Sequence, residues 1–234
     1  MKKNQLSAAD FNRIGWEIHT GTLTDEPDPD RAIPYYEKAA ALGDTRAMVN
    51  LGNIYEERED YERAYYWYFE AAIRKNEDGM FNVANLYHWG WGVERNYPKA
   101  YAFFKLLYEM GYPGAAFYMG VYSENGHVGE TDYAAALRYY AEGLAAGDRY
   151  CAVNLGRMYS LGLGTPKDER KGFEYYRMGY EAGDLLAYAD LGWCYEVGQG
   201  TEKDPELALA CYREGAEQGE ENCIEALKRL EAEK

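Results

Sequence analysis

Residues 151–184 read CAVNLGRMYSLGLGTPKDERKGFEYYRMGYEAGD, and this stretch decides the fold. Cys151, Leu155, Met158 and Tyr159 fall at i, i+4, i+7 and i+8, one face of a helix. Gly162 and Gly164 end that helix, because glycine accepts the positive-φ backbone of a helix C-terminus. Asp168 follows as an N-cap, its carboxylate accepting from amides that the next helix leaves unpaired. Gly172, Phe173, Tyr176 and Tyr180 make the apolar stripe of a second helix, and Gly183 stops it.

Outward from Gly172, a small residue recurs at Ala32, Ala64, Ala100, Ala136 and Ala208, at 36-residue intervals from Ala64 onward. A Leu-Gly-like pair follows each at a fixed distance: Leu51-Gly52, Val83-Ala84, Met119-Gly120, Leu155-Gly156, Leu191-Gly192 and a degenerate Leu227-Lys228. An earlier copy stands at Ile14-Gly15. The caps keep the same register, at Asp28, Asp60, Asn96, Asp132, Asp168 and Asp204. So do the helix-ending glycines, at Gly43, Gly111, Gly147, Gly183 and Gly219. A period of this length predicts an all-α solenoid, whose stacked units share one continuous core. The predicted units are 8–44, 45–77, 78–112, 113–148, 149–184 and 185–220, with a capping helix in 221–234 and the whole chain 1–234 as one domain. Large rings recur three and four residues after each small one, from Tyr35-Tyr36 to Cys211-Tyr212, an aromatic column that reads as core.

With 25 basic and 40 acidic residues the net charge is −15, which argues against nucleic-acid binding, where phosphate contacts need a basic face. The apolar runs are short and interrupted, so no membrane insertion is expected, and the N-terminus lacks the apolar stretch of a secretory signal. A cytoplasmic location is the expectation. Cys151, Cys194, Cys211 and Cys223 form no Cys-x-x-Cys pair, so no zinc site is expected. Cys151 and Cys223 stand where other units carry Ala47, Ala115 and Ala187, a slot for a small buried residue.

These residues resemble the Sel-1-like repeat, a branch of the tetratricopeptide superfamily. Its pattern is Ala-x-x-x-Leu-Gly-x-x-Tyr, a Gly-x-Gly loop, Asp-x-x-x-Ala, an aromatic pair, then Ala-Ala-x-x-Gly. It is nearly complete in 187–219 and clear in 151–183; in 47–75 the loop is cut to Arg58-Glu59-Asp60. The first unit diverges, with Asp10 at the leading position and a long connection over 21–28. The resemblance implies a right-handed α-solenoid that holds partner proteins or peptides. Some relatives staple each repeat with a disulfide; here the slots before Cys151 and Cys223 hold Gly143 and Gly215, which aligns the chain with the reduced members.

By the same resemblance, first helices line a concave wall. Positions one and four after each Leu-Gly glycine then supply Trp16, His19, Asn53, Glu56, Asn85, His88, Glu124, Arg157, Trp193 and Glu196, with Trp89 beside them and Arg46 and Tyr150 flanking. Asn53 and Asn85 are expected as amides that pair with an extended peptide, and the tryptophans as anchors. Glu56, Glu124 and Glu196 point to a basic or neutral peptide. No catalytic set is apparent. His19 and His88 lie two repeats apart, about 20 Å at a helix spacing of roughly 10 Å, too far to share a metal. Gly90-Trp91-Gly92 follows a helix and lacks the Lys-Ser/Thr of a phosphate loop. The expected function is a noncatalytic adaptor, without cofactor or metal, that binds a protein or peptide. The alternative is an acidic inhibitor or immunity-type protein that covers a basic target.

Overall fold

The computed structural model describes residues 6–232, and its helices fall into two compact units, Met1–Tyr112 and Pro113–Lys234. The first holds α1 (Ala8–His19), α2 (Pro29–Ala41), α3 (Thr45–Glu57), α4 (Tyr61–Ala72), α5 (Glu77–Trp89) and α6 (Tyr97–Glu109). The second holds α7 (Ala115–Asn125), α8 (Tyr133–Ala145), α9 (Tyr150–Leu161), α10 (Glu169–Glu181), α11 (Leu185–Val197), α12 (Pro205–Glu217) and α13 (Glu221–Ala232). Within each unit every helix packs chiefly on its neighbours in sequence, the pattern of a repeat protein. The helices run as six successive pairs, α1–α2 to α11–α12, followed by α13.

Each expected cap is made. Asp28, Asp60, Asn96, Asp132 and Asp168 accept from the amide three residues on, at 2.9–3.2 Å, and Asp204 accepts from Glu206 and Leu207. Asp10, out of pattern in the first unit, has a local reason: it closes a capping box with Ser7, accepting from the Ser7 amide at 2.9 Å. The helix-ending slot takes left-handed φ at Gly43, Gly111, Gly147, Gly183 and Gly219. At the equivalent point after α4 the residue is Lys75, with φ 63°.

The second ring of each aromatic pair is the core. Tyr36, Tyr68, Phe104, Tyr140, Tyr176 and Tyr212 are all buried, while the first ring of five of the six pairs is only partly covered. All four cysteines are buried and free. The Cys151 sulfur fills the space that a Cβ on Gly143 would need, 2.6 Å away, and Cys223 meets Gly215 in the same manner. Glycine at 143 and 215 therefore makes room for a thiol where other units have alanine. Burial pushes the Cys194 and Cys223 thiols up to about 12 and Cys211 to about 11, so they stay protonated.

Candidate binding grooves on the first helices

The Leu-Gly glycine and the buried tyrosine form one device. A Cβ on Gly120 or Gly192 would lie 2.5 Å from the ring of Tyr140 or Tyr212, and one on Gly156 2.7 Å from Tyr176. Gly15 and Gly52 take the rings of Tyr36 and Tyr68 in the same way. The ring crosses the first helix, and its hydroxyl arrives one turn further along. Tyr140 donates to Glu124 at 3.0 Å and Tyr212 to Glu196 at 2.8 Å. Tyr68 reaches Glu56 at 2.5 Å and Asn53 at 2.8 Å, and Tyr36 lies 3.3 Å from His19 Nδ1. Burial raises all of these phenols above their ordinary range, which keeps them as donors. The third hairpin changes both halves of the pair together. Ala84 replaces the glycine and Phe104 the tyrosine, and His88 sits buried against Trp89 and Tyr97.

In the second unit the carboxylates also tie one repeat to the next. Arg157 grips Glu124 with two bonds of 2.6 and 2.7 Å, and Arg229 grips Glu196 with two of 2.7 Å. These are bidentate fork-to-fork pairs. The Arg229 bond holds the Glu196 carboxyl below its usual range. The acidic groups expected to face a ligand at Glu56, Glu124 and Glu196 are thus engaged by the protein itself.

Open surface lies on a different register. In the second unit a groove of about 870 Å³ is lined by Tyr150, Asn154 and Arg157 of α9, by Leu186, Asp190 and Trp193 of α11, and by Asn222, Glu225 and Arg229 of α13. In the first unit a groove of about 440 Å³ uses Ala9, Asn12, Arg13 and Trp16 of α1 with Arg46, Val49 and Asn50 of α3. Counted from the Leu-Gly glycine, both grooves take positions six, three and two before it and one after it. Those positions form one helical face. Of the expected site residues, Trp16 and Arg46 line the first groove, and Tyr150, Arg157 and Trp193 line the second. Trp16 is 52% exposed and Trp193 47%.

The remaining expected site residues line neither groove. His19, Glu56, Glu124 and Glu196 serve the tyrosines, Asn53 accepts from Tyr68, and the Asn85 Oδ1 is buried without a hydrogen-bond partner. Trp89 is exposed but stacks on Trp91, which stacks on Tyr61. Asn50, Asn154, Leu186 and Asp190 are among the groove residues that the Leu-Gly register alone does not single out. Stepping back three, four and seven residues from Trp193 finds Asp190, Ala189 and Leu186; stepping forward three finds Glu196, which accepts from Tyr212. Asp190 stands out. It makes no hydrogen bond or ion pair among the described residues, and burial pushes its carboxyl up to about 6, against the pull of Arg157.

Among the described residues no three His, Cys, Asp or Glu side chains gather as a metal set would, and no helix is long and apolar enough to cross a membrane.

Six consecutive segments match the Sel1 repeat, at residues 12–44, 45–76, 77–112, 113–148, 149–184 and 185–220. No curated protein matches. Among solved structures, the chain is similar to a Sel1 repeat protein from Oxalobacter formigenes, with 26% identity and a TM-score of 0.81 over 93% of this chain and 86% of that one. It is also similar to c5321 of uropathogenic Escherichia coli, described as a protective antigen displaying an SLR fold. There the identity is 28% and the TM-score 0.78 over 91% of this chain, which spans only 46% of that protein. The immunity protein Pa5087 from Pseudomonas aeruginosa shares the fold at 24% identity and a TM-score of 0.53, over 85% of this chain and 70% of that one.

Proposed function

The chain belongs to the Sel1 repeat family of all-α repeat solenoids, generally protein-interaction scaffolds, and from that premise we propose that it is a noncatalytic adaptor that captures peptide segments of partner proteins in its first-helix grooves. One observation carries the reading: the two grooves use the same four helical positions in different repeats, and each presents a half-exposed tryptophan. A tryptophan left half in water is poised to become a buried anchor when a ligand covers it. The test is binding of a displayed random-peptide library to the full chain. Trp193→Ala is expected to cut retention through the second groove with helicity and melting unchanged. Equal retention by the variant rejects the groove assignment.

The net charge of −15 favours one further reading, an inhibitor that covers a basic protein. It requires a single tight complex and loss of the partner's activity, whereas an adaptor retains several peptides at modest affinity.

A further inference from the structure

We propose that the groove of the second unit selects a peptide segment carrying arginine, with the guanidinium on the Asp190 carboxylate and the side-chain stem along Trp193. This rests on the peptide-binding reading above and adds the chemistry of the occupant.

The charges that line the groove are mostly paired within the protein. Both of its arginines are committed, Arg157 to Glu124 and Arg229 to Glu196. Asp184 is also spoken for: it is buried and caps α11 by accepting from the Leu186 amide at 3.1 Å. The amides are engaged as well, Asn154 with the Tyr150 carbonyl and with Arg157, Asn222 with Glu220. What is left without a bonded partner is Asp190 inside the groove, on which Arg157 acts only at longer range, and Glu225 at its rim. The open charge is therefore negative, and a partly buried carboxylate without a bonded partner is costly until a cation meets it.

The neighbour of Asp190 refines the choice of cation. Trp193 lies three residues on, so the two side chains share one helix face. A guanidinium can bond both oxygens of a carboxylate while its plane stacks on an indole, whereas an ammonium offers a point charge with no stacking plane. The negative chain draws such a segment in from a distance.

The titratable and charged groups acting on Asp190 are Arg157 from α9, Tyr176 from α10, Asp184 and Cys194 of α11 and its cap, and Glu220 and Cys223 at the start of α13. Arg157 stays charged, and burial keeps Tyr176 and the thiols neutral, through the range in which Asp190 ionises. Arginine binding should therefore strengthen as pH rises through about 6.

The experiment selects random peptides on the full chain and then measures the best peptide by fluorescence anisotropy. It uses the wild type, Asp190→Asn and Trp193→Ala, and repeats the titration with lysine or citrulline in place of the arginine. Expected are arginine enriched at one position, about a tenfold loss of affinity with Asp190→Asn or citrulline, and a smaller loss with lysine. Between about pH 7.5 and about pH 5 the wild type should lose about tenfold and Asp190→Asn should not change. If Trp193→Ala abolishes binding but Asp190→Asn does not weaken it, or if acidic or wholly apolar peptides are enriched, the arginine assignment falls and the peptide reading stands. If no peptide is retained by the wild type, both fall.

Discussion

The ring of Tyr140 fills the volume that a side chain at position 120 would need, and its hydroxyl ends on Glu124, which Arg157 holds from the next repeat. Two substitutions separate these roles. Gly120→Ala forces a Cβ into the ring and is expected to destabilise by about 1–3 kcal/mol, read as a lower denaturation midpoint. Tyr140→Phe keeps the ring and deletes one bond to a carboxylate that Arg157 still satisfies, so about 1 kcal/mol is expected. Asp190 behaves in the opposite sense. Its folded value, about 6, stands above the ordinary 3.8, so the cost of burying the ionised form is absent below the lower value, grows between the two and is complete above the higher. Asp190→Asn is accordingly expected to raise the melting temperature near pH 8 and to leave it unchanged near pH 4. The gain is roughly 1–2 kcal/mol after allowance for the water that screens the groove. A gain of equal size at both pH values would show that the ionised carboxylate carries no strain in the fold.

Helix ends are where local chemistry is most plainly written. A cap needs only its own side chain and the amides two and three residues on, so Asp204 and its equivalents are legible without any tertiary contact. Asp204→Ala should cost about 1 kcal/mol, visible as a lower melting temperature. The exception is as informative as the rule. Lys75 adopts φ 63° in a slot that holds glycine after five other helices, and a Cβ in those glycine slots would meet nothing within 4 Å. The strain there is therefore of the backbone alone. Lys75→Gly is expected to stabilise by about 0.5–1 kcal/mol, the left-handed penalty less the entropy that glycine adds to the unfolded chain. A melting temperature that falls would refute it.

Over the whole chain the charge of −15 acts at long range, so association with a basic segment should slow as salt rises from about 0.05 to about 0.5 M while dissociation changes little. Stopped-flow binding measures the two rates separately. Helix number, caps, the small-residue column and the buried second ring were all readable from residue order, because each depends on spacing along one helix or between two that adjoin. Position one after the glycine, at Trp16, Arg157 and Trp193, follows from residue order and lines the candidate grooves. The continuation of the grooves does not follow from it, since two opposite steps along the helix, forward to Glu196 or back to Asp190, keep the same helical spacing. Only packing separates them. The tyrosine that crosses at the glycine lays its hydroxyl on the forward position, turning Glu124 and Glu196 into internal acceptors and leaving the backward face open to solvent. Residue order determined which side chains each helix carries; the path of a ring across a neighbouring helix decided which of them remain free to meet a partner.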